Sequence, residues 1–467
     1  MSHTSISLGR KAQGSSVRSF RVAFAWTVGV LLALCGVFLT LGFLQGPKLS
    51  SAQLDMDAVV ASSDQTLRLF LNQTASIVES GAVTVEPAAA VSITNEADLI
   101  SVKFDEPLDY NTAYTVTVSD VVSPSGGSAS TITYSFTTGE AELYYLDRGM
   151  PTDEIVRTGL SGSERSVLFA GEGIQEFVPV GDLLAITTAA ADRTGTLQLV
   201  NPQTGITERV VLPEVGEVAD LDGSRSGSTL GFTISSDDPG PIVTVSHTLY
   251  TIDLDRGRDV VAVKGLDGQP MRVSGWQFIP GTSNIVALTT ATTLVRVDLA
   301  TGEVVPLGQY FEFDRVSADG THVVVSDPRG SASVALSDGS EMRLYPSPID
   351  GQQPFLGHTD ASASGELVAK MVVVGENGGT FSSLLAYDDG EVSRVLYETV
   401  GDKGAILDFR VSPNGQFAAV EVQPNVSVFD SDEYVMVSRP RSVTTYVVDI
   451  ASGAVTRSVE GFGAVWR

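Results

Sequence analysis

One cysteine, Cys35, occurs in 467 residues, so no disulfide can form within the chain. Whatever folds here stands on packing and backbone hydrogen bonds, which suits a large bacterial envelope domain better than a small stapled secreted one. Histidine is nearly as scarce. His3, His247, His322 and His358 show no i,i+2 or i,i+4 pair, so they read as surface or turn residues and not as zinc ligands or part of a catalytic triad. There is no G-x-S-x-G elbow, so the nucleophile of an α/β-hydrolase has no place in the sequence. Basic residues are outnumbered as well, 29 Lys and Arg against 56 Asp and Glu, for a net charge of −27. Such a surface repels nucleic acid and anionic headgroups, which makes both poor partners and makes solubility its plainest consequence.

What the chain does have is apolar material: 43% hydrophobic residues against 18% charged, enough to offset ordering entropy over most of its length. Its size implies two or three folded units. Charge is distributed unevenly. Residues 1–21 carry Arg10, Lys11, Arg18 and Arg21 and no acid, while 22–44 carry no charge, leaving −31 on the remainder.

Residues 22–44, VAFAWTVGVLLALCGVFLTLGFL, predict a transmembrane helix. As a helix they rise about 34 Å at roughly 1.5 Å per residue, enough to cross a bilayer core with some tilt. Residues 1–21 then form a cytoplasmic tail by the positive-inside rule, with Trp26 as an interfacial aromatic and everything downstream extracytoplasmic. Two alternatives stand beside this. A cleaved signal peptide has an acceptable site at Ser50-Ser51-Ala52, but its apolar core is ordinarily only about 7–15 residues. Leu32-Ala33-Leu34-Cys35 is similar to a bacterial lipobox, yet Leu34 replaces the small residue required, and the apolar run continues for nine residues past Cys35.

Residues 45–55 read as a polar tether. Alternating runs occupy 66–71, 82–87, 99–104, 113–119 and 131–139, separated by Pro, Gly, Asn and Asp, and predict a β-sandwich over 56–139. From Leu108, the stretch LDYNTAYTVTVSDVVSPSGGSASTITYSFTTG resembles the C-terminal half of the bacterial Ig-like domains of envelope and surface-layer proteins, with Asn111-Thr112-Ala113 replacing the usual turn. The resemblance implies a spacer or adhesion module without a reaction.

Beyond Glu142 a second rhythm repeats. Six strand–turn–strand units occupy 197–212, 249–263, 294–307, 332–345, 384–397 and 446–459. Inner pairs lie between them, at 176–187, 218–234, 276–289, 314–326, 360–374 and 409–422. The period of about 40–60 residues predicts four-stranded blades of a β-propeller. The Ser-x-Asp/Asn-Gly turns at 317–320 and 412–415 resemble those of the WD40-like and TolB-like propellers, a superfold that implies little about function. At most the chain resembles the propeller half of prolyl-oligopeptidase-type enzymes, for the sequence beyond the blades has no α/β pattern. Three strands at the front and 462–467 at the end compose a seventh blade, so residues 141–467 are expected to close as a seven-bladed ring with Trp466 buried at the seam. The fold class is therefore all-β, an Ig-like β-sandwich plus a seven-bladed propeller behind one transmembrane helix.

Candidate sites are few. Asp220-Leu221-Asp222 and Asp253-Leu254-Asp255 space carboxylates as calcium loops do, but without the bidentate Glu of an EF-hand, and read better as blade turns. Asp430, Asp432 and Glu433, in the longest propeller insertion, are the candidate metal cluster, with calcium the possible ion and no other cofactor implied. Aligning the inner strands places Glu176, Asp222, Phe278, Arg315, Asp360 and Arg410 at one position, which alternation points into the central channel. The charged five, Glu176, Asp222, Arg315, Asp360 and Arg410, either bind a polar ligand or pair with one another, Arg315 with Asp360 and Asp360 with Arg410. No catalytic constellation emerges. The expected function is a membrane-anchored scaffold or binding protein that recognises a cell-envelope protein or peptide. An envelope enzyme, hydrolase or lyase, or a small-ligand receptor using the channel charges is the alternative.

Overall fold

The computed structural model describes residues 16–466 apart from 125, 150–151, 163–164, 226, 237–245, 363, 375–380, 400–402, 428–429 and 437. Arg10 and Lys11 of the basic tail lie outside the described residues. A single long helix, Ser16–Leu44, opens the described chain. Its segment Phe20–Val37 is long and apolar enough to cross a membrane, and none of that segment is buried against protein. The chain divides into two compact units: Thr66–Asp105 and Ala113–Phe136 group with Met1–Asp55, while Met56–Gln65 and Glu106–Thr112 group with Thr137–Arg467.

The first unit holds the Ig-like sandwich. One sheet runs Leu49–Gln53, Gln65–Leu71, Leu99–Phe104, Val91–Glu96, and the other Val83–Glu86, Ala113–Val121, Ser130–Thr137. Period-two alternation turns Leu67, Leu69, Ile100, Val102, Tyr114, Val116 and Val118 inward, each contributing about 1.5–3 kcal/mol by its burial. Two of these strands depart from the sequence-based expectation. Residues 49–53, read as tether, pair antiparallel with Arg68–Leu71; a serine-rich run with little alternation becomes a strand because the neighbouring edge supplies its hydrogen bonds. Val91–Glu96 pairs in full register with Leu99–Phe104, joined by a turn at Ala97, whose φ is 51°.

The second unit is the propeller. Blades 1 to 6 occupy 174–209, 217–262, 272–309, 312–343, 355–398 and 405–460, each four antiparallel strands from the channel outward. Blades 2 and 3 are joined into one sheet by a short pairing of His247 and Thr248 with Val273 and Arg272. Blade 7 takes Phe462–Trp466 as its innermost strand, with Glu142–Arg148, Asp153–Gly159 and Arg165–Gly171 stacked outward from it. Trp466 is only half-buried: its ring stacks on Phe417 at 6.3 Å and its indole N–H donates to the Arg410 carbonyl at 2.9 Å. Phe462 and Ala464 are the buried residues of that strand.

Apolar clusters form between neighbouring blades rather than at one centre. Val178, Leu197 and Leu199 of blade 1 pack on Val218, Phe232 and Ile252 of blade 2, and the same exchange recurs between blades 3 and 4. The contact is close enough to require glycine at Gly231, where a Cβ would stand 2.2 Å from Trp276 of the next blade. The two Ser-x-Asp/Asn-Gly turns have the positive φ expected of them, 70° at Gly320 and 73° at Gly415.

Candidate functional site: the charged channel

The innermost strand of every blade is irregular. Register shifts fall at Ile174/Glu176, Ala219/Asp222, Val273/Gly275, Phe313/Arg315, Leu356/Thr359, Ile406/Asp408 and Phe462/Val465. A bulge adds a residue to one strand and re-aims the next side chain. Here it turns polar groups alternately into the channel and toward the adjacent blade.

Those turned toward the neighbour staple the ring. Glu176 Oε2 accepts the Leu221 N–H at 3.0 Å, Asp222 Oδ2 that of Phe278 at 2.9 Å, and Gln277 Oε1 that of Val316 at 2.7 Å. Asp314 accepts from Thr359 at 2.6 Å, and from strands further out Glu421 accepts from Gly463 and Ala464 at 2.7 and 3.1 Å and Asp153 from Ile174 at 2.9 Å. Each staple satisfies a backbone N–H on the innermost strand of the neighbouring blade.

Asp222, Arg315, Asp360 and Arg410 do converge, on a channel cavity of about 150 Å³ that Gln277 and Arg225 also line. Glu176 is not among its walls. The expected ion pairs are replaced by others. Arg315, only 4% exposed, donates to the Phe409 carbonyl at 2.6 Å and to Asp408 at 3.0 Å, and lies 3.6 Å from Asp314. Arg410 sits 3.5 Å from the other oxygen of Asp408. Burial opposes ionisation of Asp408, but the Arg410 and Arg315 guanidiniums outweigh it and hold the carboxyl well below the usual range. Sequence reasoning missed Asp408, although it shares a strand face with Arg410 two residues on. Arg225 was missed too, because nothing periodic marks a turn residue.

Burial pushes Glu176 up to about 7 and Asp360 up to about 6, in each case against opposing hydrogen bonds or positive charge. Glu176 therefore binds its proton more tightly folded than unfolded. As pH rises from its ordinary value of 4.5 toward about 7, ionisation increasingly penalises the folded state. Glu176→Gln keeps a carbonyl for the Leu221 N–H and removes that penalty. We expect it to raise Tm by a few degrees at pH 8 and to leave Tm nearly unchanged at pH 5; equal effects at both pH values would show ordinary acidity at Glu176.

The candidate metal cluster is not assembled. Among the described residues no group of three or more His, Cys, Asp or Glu is placed to hold a metal ion. Asp432 Oδ2 is consumed by Arg148 at 2.6 Å, its other oxygen accepts the Arg439 N–H at 2.9 Å, and Asp430 pairs with Arg441 at 3.2 Å. A guanidinium in contact with the carboxylate supplies the charge a cation would have supplied.

Fold and site together define a β-propeller with an internally paired channel, preceded by an Ig-like sandwich and one apolar helix. Residues 45–138 match the family model of the bacterial Ig-like domain. No curated protein matches the chain. Among solved structures the chain is similar to TolB from Acinetobacter baumannii, at 12% identity over 82% of each chain with a TM-score of 0.38. It is also similar to the β-propeller domain of the Trilobed protease from Pyrococcus furiosus, at 10% identity over 79% of this chain and 97% of that one, TM-score 0.43. A third is an oligogalacturonate lyase from Vibrio parahaemolyticus, at 10% identity over 66% of this chain and 86% of that one, TM-score 0.46. These likenesses concern the fold, and no residue's role is carried over from them.

Proposed function

We propose that the chain is a membrane-anchored extracytoplasmic binding protein of the bacterial envelope, displaying its propeller to recognise a protein or peptide. The observation that carries this reading is where the propeller leaves apolar side chains in water. Phe311, Tyr345 and Phe355 are 64%, 78% and 66% exposed, and Val211, Val215 and Leu266 are exposed with them. All six sit in or beside the connections from one blade's outer strand to the next blade's inner strand. In antiparallel blades those connections share one end of the ring. Large exposed aromatics gathered on the loops of a rigid scaffold are what a docking surface offers.

The helix supports the anchoring part of the reading. An apolar helix with none of its spanning segment packed on protein is suited to lipid, and the basic residues before it favour retention of the N-terminus in the cytoplasm. The channel supports binding over catalysis, since most of its carboxylates are committed to backbone staples or arginine.

A photoreactive amino acid at Phe311, Tyr345 or Phe355 in the full-length protein tests the docking end in living cells. We expect one shared protein adduct from these positions, and none from Ile206 or Val392 in the turns at the opposite end. Adducts of equal yield from both ends, or none from the aromatic positions, would refute the reading.

A further inference from the structure

The unspent hydrogen-bonding capacity of the channel cavity lies mainly with its arginines. Asp222 spends one oxygen on the Phe278 N–H and the other on the Gly223 N–H, each at 2.9 Å, and Asp360 accepts from the Ala318 backbone. Both Asp222 oxygens are therefore used, and Asp360 has one backbone donor. The arginine donors are not all used, for a guanidinium carries five N–H groups and no acceptor. Arg225 donates to the Ala61 carbonyl at 3.0 Å, and among the described residues its side chain makes no other hydrogen bond. Among the described residues the Arg410 guanidinium has only the ion pair with Asp408 at 3.5 Å. Arg315 is buried behind them, and among the described residues its Nε makes no hydrogen bond, the Asp314 carboxylate lying 3.6 Å away.

The geometry points to this cavity as a binding site for a small carboxylate or oxyanion, held by Arg225 and Arg410 with Arg315 behind them. At about 150 Å³ the cavity falls short of the space a cofactor-sized ligand fills, so it takes one anionic group. A planar carboxylate matches the guanidinium fork, which is why arginine serves such ligands better than a point charge does. The group arrives either as a free small anion or as the C-terminal carboxylate of a peptide. Asp360 regulates it. Its carboxyl faces Arg315 and Arg225 with Asp314 and Asp319 nearby, and it takes up a proton near pH 6. Neutralising it removes a negative charge from the anion's surroundings, so binding tightens as pH falls.

The test is calorimetric titration of the detergent-solubilised full-length protein with sulfate, with acetate, and with a short peptide carrying either a free or an amidated C-terminus. Saturable binding is expected at pH 7.5, several-fold tighter at pH 5.5, and weakened at least about tenfold by Arg225→Ala with Arg410→Ala. Asp360→Asn, which leaves the arginines intact, is expected to tighten binding at pH 7.5 and to abolish the pH dependence. Sulfate or acetate binding assigns the site to free anions; binding of the free-terminus peptide alone assigns it to chain ends. No saturable binding by any probe, or binding unaltered in a folded double variant and in Asp360→Asn, overturns the assignment.

Discussion

Truncation after Gly461 is expected to lower the unfolding transition of the propeller, or replace it by aggregation, while leaving the Ig-like sandwich folded. The missing strand pairs with the front of the ring through Phe462 with Leu146, Val465 with Tyr144 and Trp466 with Leu143. Its Phe462 side chain is buried in a cluster with Ile174, Phe177 and Val443. Replacing a buried phenylalanine by alanine costs about 3–5 kcal/mol before any strand is lost. Truncation also removes the N–H groups of Gly463 and Ala464 that Glu421 Oε1 accepts from, leaving that buried oxygen without its donors and the carboxyl with Arg439 alone at 3.5 Å. It further exposes the backbone edge of Glu142–Arg148 to pairing with other chains. Together these losses are comparable with the whole stability of a typical domain, about 5–15 kcal/mol. Calorimetry should show the propeller transition lowered by on the order of 10 °C or replaced by aggregation. A truncated protein with an unchanged transition would mean that the ring does not depend on this strand.

The architecture was legible because blades repeat. Outer hairpins such as 294–307 and inner pairs such as 409–422 announce themselves through short apolar runs and Gly-bearing turns, and the observed strands Thr293–Val297, Val304–Gln309, Ala405–Val411 and Phe417–Gln423 fall on them. The site was only half legible, and the bulges are the reason. Strict alternation assigned Glu176, Arg315 and Asp360 equivalent directions, but a register shift just before each position lets Glu176 turn to the Leu221 backbone while Arg315 reaches across to Phe409 and Asp408. A one-residue shift exchanges the two faces of a strand, so period two gives the right strand and an unreliable direction. Contacts made by long insertions were illegible altogether. Nothing local in NVSVFDSDEY shows that Asp432 meets Arg148, which lies 284 residues earlier in sequence.

That pair gives the second large expected effect. The side chains of Arg148 and Asp432 are 3% and 6% exposed and 2.6 Å apart. Arg148 also donates to the Ile174 and Gln175 carbonyls at 3.2 and 3.1 Å, with its guanidinium 3.8 Å from the Tyr434 ring centroid and 4.8 Å from that of Phe462. The Tyr434 hydroxyl donates to Asp153, whose other oxygen accepts the Ile174 N–H. One guanidinium thus ties the blade 6 insertion to blade 7 and to blade 1, across the seam where the two ends of the ring meet. Removing one partner of a buried pair takes from the other charge its nearest counter-ion where water does not replace it, at a cost of about 3–5 kcal/mol. Asp432→Ala is expected to cost that much, and Arg148→Ala at least as much because its backbone bonds and ring contacts go too. The combined Arg148→Met, Asp432→Leu variant should be more stable than either single variant, since no orphaned charge remains. Urea unfolding of the parent protein, Arg148→Met, Asp432→Leu and the combined variant closes the cycle. Additive losses in the double variant would mean that the two side chains stabilise the seam independently, and that the insertion is not latched by their charges.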